Sequence, residues 1–384
     1  MNETPPNPSR RKFLLGAAGL VALGGTGVLA ACSSDSADTT GADTAAVDET
    51  AAAETVAAET AAAETVAAET AAAAETTAAA AAAGTAGPTS GLIGLTLNGL
   101  NDYTKGVTTG VYKALEGTEY TLEVVQVNYD AAQELSAAEA FLAKGVVGLV
   151  IQPNTAESAG AAAEKAVAKG IPAGNCIWPG PSDADKFFVG VAEIDSVEGG
   201  RLIGEYLKAN ATPGKVCVVQ GVVGQGFSER IDEGLDKALE GSGFEIVVRE
   251  QGFFDRTKAV GVVEKAFQAH PDLGIVIAYS ASMSNGIAQW LKDQKKETVL
   301  HVSSDADEEM ITWMKTPYLK ATRYYSSAQT GLIAAQAVLK TLKGEKPEFR
   351  TVIEQVIATG DDIDAVVAAN PFMFMEYKDK VQNI

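Results

Sequence analysis

The stretch from Leu92 to Leu115 has a pattern that most of the chain after it repeats. Leu92–Leu97 is an apolar run of the kind found in inner strands of parallel sheets, and a loop of Gly, Asn and Asp follows it at Asn98–Asp102. From Val107 onward, apolar residues recur at helical spacing. The pattern predicts a strand, a loop and a helix. Because ligands of open parallel sheets bind outside the carboxyl ends of the strands, the loop is the first candidate site.

Apolar runs and amphipathic segments alternate in this way along the rest of the chain. Strands are predicted at 120–127, 146–151, 171–173, 187–191, 215–220, 245–250, 273–278, 299–303 and 352–357, with helices between them. The alternation predicts an α/β fold whose parallel sheets carry helices on both faces. Two such series over about 296 residues predict two similar doubly wound lobes, since single cores seldom grow past about 250 to 300 residues.

The first 31 residues have the features of an export signal. Arg10 and Arg11 precede an apolar stretch that runs to Ala31, and the sequence Leu-Ala-Ala-Cys ends at Cys32. This arrangement resembles a twin-arginine signal joined to a lipoprotein box, in which the cysteine becomes the acylated N-terminus. The alternative is a transmembrane helix beside a chance cysteine. We expect a lipid anchor on Cys32 and a location on the outer face of the cytoplasmic membrane.

Residues 32–89 are composed mainly of Ala, Thr and Glu, and the sequence AAAETVAAET occurs there twice in succession. Such a segment has almost no large apolar side chain whose burial could offset the entropy lost on ordering. We therefore interpret it as a disordered tether. As a flexible coil it would span roughly 40 Å, enough to hold a domain clear of a membrane surface.

The charge and the rare residue types exclude several functional classes. The chain has a net charge of −20, and ten of its acidic residues lie in the tether without a basic residue among them. A domain that remains strongly acidic should repel nucleic acid, so we expect neutral small molecules or proteins as partners. His270 and His301 lack metal-ligand spacing, which argues against a metal site or a hydrolase. Cys176 and Cys217 are predicted to be buried thiols.

Six segments give the chain a family resemblance. They are IGLTLNGLND, DSVEGGRLIGEYL, GFFDRTKA, HPDLGIVIAY, VSSDADEEM and LKATRYYSSAQTGLIAAQAVLKTLKGEKP. In order and spacing they are similar to the periplasmic sugar-binding proteins typified by ribose-binding protein. The resemblance implies the periplasmic binding protein-like I fold, in which a multi-strand hinge joins two lobes and the ligand lies between them. It places the crossings near 192–195, 324–326 and 358–362. The first lobe would then be 90–194 plus 326–358, and the second 195–325 plus 359–384.

Polar and aromatic residues at the strand ends are the candidate ligand contacts. Asp305 follows an apolar strand, and its carboxylate suits the hydroxyl groups of a polyol, whereas Asp307 is interpreted as a helix cap. Tyr103 and Phe254 match positions where the family stacks aromatic rings on a sugar. The candidates are Asn98, Asp102, Tyr103, Gln152, Trp178, Arg230, Phe254, Ser280, Asp305 and Tyr325.

The chain also departs from the family pattern. Ile177 and Trp178 stand where the family often has Asp-Arg, which argues against ribose itself, and Trp178 is interpreted as a stacking platform. The segment containing Arg230 is one residue longer than usual, so either Arg230 or Ile231 could face the cleft. Ser280 replaces a usual asparagine, and Tyr325 a usual glutamine.

These observations predict an extracytoplasmic solute-binding lipoprotein that captures a neutral sugar or polyol in an interlobe cleft and delivers it to an ABC importer. We expect a monomer with no cofactor and no catalytic activity. One alternative is a receptor module that reports ligand to a membrane signalling protein. Another is a nucleotide-dependent oxidoreductase, but the glycines at 221, 224 and 226 are spaced G-x-x-G-x-G instead of the dinucleotide pattern G-x-G-x-x-G.

Overall fold

Two six-stranded sheets, each flanked by helices, form the two lobes of the chain. The computed structural model describes residues 86–177, 182–382 and 384. Within these residues no helix has both the length and the apolar character needed to cross a membrane. The predicted architecture of two doubly wound parallel-sheet lobes is confirmed.

The first lobe is an all-parallel sheet in the order β11-β5-β4-β3-β1-β2. Its strands are β1 (Ser90–Leu97), β2 (Glu119–Gln126), β3 (Gly148–Ile151), β4 (Ala173–Asn175), β5 (Gly190–Glu193) and β11 (Arg350–Val352). Its helices are α1 (Asp102–Leu115), α2 (Ala131–Lys144), α3 (Ala156–Val167) and α9 (Ser327–Leu342). The strand predicted at 187–191 begins only at Gly190, because Asp185–Phe187 forms a short 3-10 helix.

The second lobe repeats this plan in the order β12-β10-β9-β8-β6-β7, with only the β10–β12 pair antiparallel. Its strands are β6 (Lys215–Gln220), β7 (Glu245–Gln251), β8 (Ile275–Ala278), β9 (Leu300–Ser304), β10 (Ala321–Tyr324) and β12 (Val356–Thr359). Its helices are α4 (Ser196–Asn210), α5 (Phe227–Leu239), α6 (Arg256–Ala269), α7 (Ala281–Asp293), α8 (Glu308–Met314) and α10 (Ile363–Ala369).

A glycine pair brings two helices into close contact in each lobe. A Cβ at Gly110 of α1 would lie 1.9 Å from the carbonyl oxygen of Ala328 in α9, and one at Gly331 would lie 2.0 Å from the oxygen of Val107. In the second lobe, α4 and α5 approach each other through Gly200 and Gly234 in the same way. Any side chain at these four positions would force the helices apart.

Residues 353–355 form the third connection between the lobes, so the predicted crossing at 358–362 is wrong. β11 pairs with β5 in the first sheet, and β12 pairs with β10 in the second. Ile353 N–H still donates to the carbonyl of Glu193, and the Gln355 side chain donates to the carbonyl of Asp195. The apolar run at 352–357 was predicted as one strand, but these contacts hold its middle in the hinge. It therefore forms two short strands in different sheets.

The C-terminal segment crosses between the lobes once more, which corrects the assignment of all of 359–384 to the second lobe. Phe372 and Met373 still belong to the second-lobe core. The carbonyl of Phe372 then accepts hydrogen bonds from Ser327 Oγ and Ala328 N at the start of α9. The sequence of this segment offers no periodic pattern from which this return could be predicted.

Beyond Phe372, a 3-10 helix (Met375–Val381) packs on α1 of the first lobe. The ring of Tyr377 stacks on Tyr112 at a centroid distance of 5.8 Å, and Glu376 pairs with Lys113 at 3.1 Å. Lys378 reaches back to the second lobe, where its Nζ lies 2.6 Å from a carboxylate oxygen of Glu308 in α8. The segment is thus anchored on both lobes.

Candidate functional site

A cavity lies between the lobes at the carboxyl ends of both sheets. Nine of the ten candidates line it. Four come from the first lobe (Asn98, Asp102, Tyr103 and Gln152), four from the second (Arg230, Phe254, Ser280 and Asp305), and Tyr325 from the connection after β10. Trp178 lies outside the described residues, as does Cys32. The residues that the sequence placed on separate loops therefore converge on one gap.

Asp305 is one of the two buried carboxyl groups of the cavity wall, the other being Asp307. Asp305 is 5% exposed and has a left-handed backbone with φ of 59°. Its Oδ1 accepts a hydrogen bond of 2.7 Å from the backbone N–H of Ala281. Burial raises the pKa of Asp305 well above its usual value, and repulsion from Asp307 adds to the rise. The group can therefore exchange hydrogen bonds with ligand hydroxyls as an acceptor or, when protonated, as a donor.

Asp307 caps α8, as its position in the sequence predicted. Its side chain accepts hydrogen bonds from the backbone N–H of Met310 at 2.7 Å and from Asn285 Nδ2 at 2.8 Å. It also lines the cavity, which the sequence interpretation did not include. Ser280 likewise has two roles: it lines the cavity, and its hydroxyl caps α7 by accepting a hydrogen bond from the N–H of Met283.

The first-lobe loop is fixed by the cap of α1. The Asn101 side chain and the Thr104 hydroxyl exchange hydrogen bonds with each other's backbone N–H groups, which forms a capping box. Asn98 Nδ2 donates to the carbonyl of Pro153 at 3.2 Å, which joins this loop to the one after β3. Asp102 is exposed and pairs with Lys105 at 3.0 Å. The loop therefore presents its polar groups from a fixed backbone.

Tyr103 and Gln152 complete the first-lobe wall. The Tyr103 ring packs edge-on against Tyr325 with centroids 6.2 Å apart. Burial raises the pKa of Tyr103 well above its usual value, so its hydroxyl stays neutral. Gln152 is 2% exposed, and its Oε1 has no hydrogen-bond partner among the described residues. That oxygen is an acceptor available to a ligand hydroxyl.

The structure shows which of two neighbouring residues at the start of α5, Arg230 or Ile231, faces the cleft. Arg230 lines the cavity, whereas Ile231 is fully buried in the second-lobe core. Ile231 contributes the backbone oxygen against which Gly200 of α4 packs. Ile231 thus lies on the face of α5 that packs on the second-lobe core, and Arg230 lies on the face towards the cleft.

Three aromatic residues of the cavity wall were missed by the sequence analysis: Tyr129, Phe227 and Tyr279. Tyr279 directly precedes the predicted Ser280, and its hydroxyl donates to Asp232 Oδ1 at 2.5 Å. Tyr129 follows β2, the strand at the outer edge of the first sheet. A search of all strand ends for aromatic residues would have found both Tyr129 and Tyr279.

A buried arginine lies behind the wall of the cavity. Arg323 is fully buried, and its Nε and Nη2 donate to Ser304 Oγ at 3.1 and 2.8 Å. Its guanidinium carbon lies 4.8 Å from the ring centroid of Tyr325 and 5.4 Å from that of Phe227. These cation–π contacts fix two rings of the wall, and the positive charge partly offsets the rise in the pKa of Asp305 that burial causes.

Comparison with known proteins identifies the family. The model described as "Periplasmic binding protein domain" matches residues 93–346, which include both sheets up to the end of α9. The chain belongs to the periplasmic binding protein family. Among its relatives, the ribose import binding protein of Salmonella typhimurium is 28% identical over 269 residues, which cover 69% of this chain and 88% of that protein. A putative rhizopine-binding protein of Rhizobium meliloti is 25% identical and covers 69% of this chain and 85% of that protein.

Solved structures show the same fold. A solute-binding protein of an ABC transporter from Bacillus halodurans, with bound myo-inositol, has a TM-score of 0.67 and 18% identity, and the match covers 74% of this chain and 99% of that one. The family consists of solute-binding proteins and not of enzymes, which confirms the prediction that this chain is not an enzyme. Within the described ranges, no group of three or more His, Cys, Asp or Glu residues could hold a metal ion.

Proposed function

We propose that this protein captures a neutral sugar or polyol in the cleft between its lobes and delivers it to an ABC importer. The observation that supports this most strongly is that nine candidate residues, from both lobes and one connection, line a single cavity. Groups from both sides of a gap hold a ligand only when the gap closes, so hinge bending couples binding to a change of shape. The importer would recognise the closed form.

The chemistry of the wall suits a hydroxylated ring. Asp305, Arg230 and Gln152 offer hydrogen bonds to hydroxyl groups. The aromatic rings of Tyr103 and Phe254 offer flat apolar surfaces for the C–H faces of a ring. A ring-shaped ligand with hydroxyl groups at its rim and apolar faces matches both the hydrogen-bonding side chains and the aromatic rings.

Ile177 supports a ligand other than ribose. It lines the cavity at a position where the resembling family often carries an aspartate. An apolar side chain there removes a charged hydrogen-bonding group, so the ligand presents less polar surface at that point. Pentoses other than ribose, hexoses, cyclitols and sugar alcohols fit this wall.

We further propose that the protein is a lipid-anchored monomer on the outer face of the cytoplasmic membrane. The Leu-Ala-Ala-Cys sequence ending at Cys32 supports the anchor. An extracytoplasmic location agrees with the family. Substitution of Cys32 by Ser should release the protein from washed membranes, and retention of the variant on membranes would contradict the anchor.

A thermal-shift screen tests the ligand class. The chain without residues 1–32 is melted with D-ribose, L-arabinose, D-glucose, myo-inositol or glycerol, and with amino acids as the control set. A true ligand at about 100 times its Kd stabilises the folded state by roughly 2.7 kcal/mol. We expect a shift with at least one polyol and a smaller or absent shift with ribose. Stabilisation by amino acids alone would overturn the proposal.

A further inference from the structure

Two loops at equivalent places in the two lobes share an unusual backbone. Asn128 and Tyr129 follow β2 with φ of 49° and 59°, and Phe253 and Phe254 follow β7 with φ of 58° and 55°. They are four of the six non-glycine residues with positive φ in the described part of the chain. Side chains rarely adopt this conformation, and such strain concentrates at functional sites. Its occurrence in both lobes indicates a shared purpose for the loops.

A glycine accommodates each of the two rings. A Cβ at Gly99 would lie 2.4 Å from the ring of Tyr129, and a Cβ at Gly221 would lie 2.0 Å from the ring of Phe254. The two glycines are again equivalent, since Gly99 follows β1 and Gly221 follows β6. Asn101 Nδ2 also donates to the Tyr129 hydroxyl at 3.1 Å. The rings are therefore held in place by the protein itself.

The two rings meet across the cleft. Their centroids are 6.3 Å apart and their planes are inclined by 26°, and both rings line the cavity. β2 and β7 are the outer edge strands of the two sheets, whereas the connections leave from the two strands at the opposite side of each sheet, β11 and β5 in the first and β12 and β10 in the second. The contact between the rings therefore lies at the mouth of the cleft, where hinge opening separates the lobes most.

We propose that Tyr129 and Phe254 form an aromatic clasp that closes the mouth of the cleft, and that Tyr129 is a specificity-determining residue of the ligand site. The clasp does not depend on the proposed function, whereas the role of Tyr129 in specificity rests on it. The strained loops point both rings inward before a ligand arrives, so little side-chain entropy is lost on binding. A ligand under the clasp must turn an apolar face towards the rings, because a polar group there would lose its hydration without a partner.

The clasp is tested first without ligand. Spin labels on the outer surfaces of the two lobes report the interlobe distance in the full chain and in Tyr129→Ala, Phe254→Ala and the double variant. Trp290→Ala is the matched control, because its ring also packs against an aromatic ring, that of Phe267 at a centroid distance of 5.4 Å, and both residues lie on helices of the second lobe outside the cavity wall. Both single variants should widen the distance distribution, and the double variant should widen it no further than either one. Additive effects, or distances equal to the control, would overturn the clasp.

The ligand site is tested next with the polyol that gives the largest thermal shift. Tyr129→Ala should weaken its binding by about five- to tenfold, while Tyr129→Phe, which keeps the ring and loses only the hydroxyl, should bind nearly as tightly as the unaltered chain. Equal affinity for the Ala variant would overturn the role of Tyr129 in specificity. If no polyol binds but the distances still change, the clasp stands and the proposed ligand class fails.

Discussion

Asp305 shows how a single side chain can serve binding at the expense of stability. Its carboxyl group is buried, receives one backbone hydrogen bond and has a raised pKa. The unfolded chain loses the proton of this group at a lower pH than the folded chain does. Stability therefore falls as the pH rises above the usual aspartate pKa towards the raised one. At neutral pH the free energy of folding is less favourable than it would be with an uncharged side chain.

Asp305→Asn should therefore raise the melting temperature at pH 7 and weaken polyol binding by about tenfold to a hundredfold. Asp307→Ala is the contrasting variant, because it removes the cap of α8 and should lower stability by about 1 kcal/mol. Calorimetric melting and titration of the two variants provide the measurement. A less stable Asp305→Asn variant would contradict this account.

Glu134 should make the stability of the first lobe depend on pH. The residue is fully buried, and its Oε2 accepts the N–H of Asn154, a residue of the cavity wall. Burial raises the pKa of Glu134 to about 7. As the pH rises from about 4.5 towards 7, the unfolded chain loses this proton first, so stability falls over that range.

The side chain of Glu134→Gln does not ionise, so the stability of this variant should not decrease over that pH range. Relative to the original chain it should gain about 2–3 kcal/mol between pH 4.5 and pH 8. Urea unfolding followed by circular dichroism at both pH values measures the change. A constant difference between the two chains across this range would show that Glu134 does not titrate as described.

At the scale of elements, the sequence was sufficient wherever hydrophobic periodicity decided the outcome. The two series of strands and helices and the convergence of their loops could be predicted, since burial on a parallel sheet imposes a pattern on the residues. The division of 352–357 between two sheets could not be predicted, because an apolar run does not specify its pairing partner. Tyr129 was missed because periodicity does not mark the turn after β2, although its aromatic side chain near a strand end could have been found.

The glycine contacts between helices give a prediction at this scale. Gly110→Ala should destabilise the chain by about 2 kcal/mol or more, because the new methyl group would overlap the carbonyl of Ala328. Gly261 in the middle of α6 has nothing within 4 Å of its Cβ position and is the matched control. Gly261→Ala should stabilise by about 0.5–1 kcal/mol through helix propensity. Denaturant unfolding of both variants measures the contrast, and a tolerated Gly110→Ala would contradict the close packing.

At the scale of the whole molecule, the C-terminal segment adds a fourth link between lobes that move relative to each other. Lys378 extends from a segment docked on α1 and pairs with Glu308, which lies shortly after Asp305 and Asp307 of the cavity wall. The two side chains are 37% and 56% exposed, so the pair contributes about 0.2–1 kcal/mol. A contribution of this size is enough to shift an equilibrium between open and closed lobes.

Lys378→Glu should weaken polyol binding by about two- to fivefold, and the double variant Lys378→Glu with Glu308→Lys should restore it. Lys315→Glu is the control, because Lys315 pairs with Asp364 and both residues belong to the second lobe. Isothermal titration at low and high salt measures the effect. Weakening by the control to the same degree would show that net charge, and not the link between lobes, is responsible.

The described chain begins at the far end of the first lobe. Gly87 N–H donates to the carbonyl of Leu342, and the carbonyl of Pro88 accepts the Tyr120 hydroxyl, both near the amino ends of β1 and β2. The cavity lies at the carboxyl ends of the same sheet. The preceding residues therefore join the first lobe at the end opposite the cleft. With the proposed anchor on Cys32, the cleft would open away from the point of attachment.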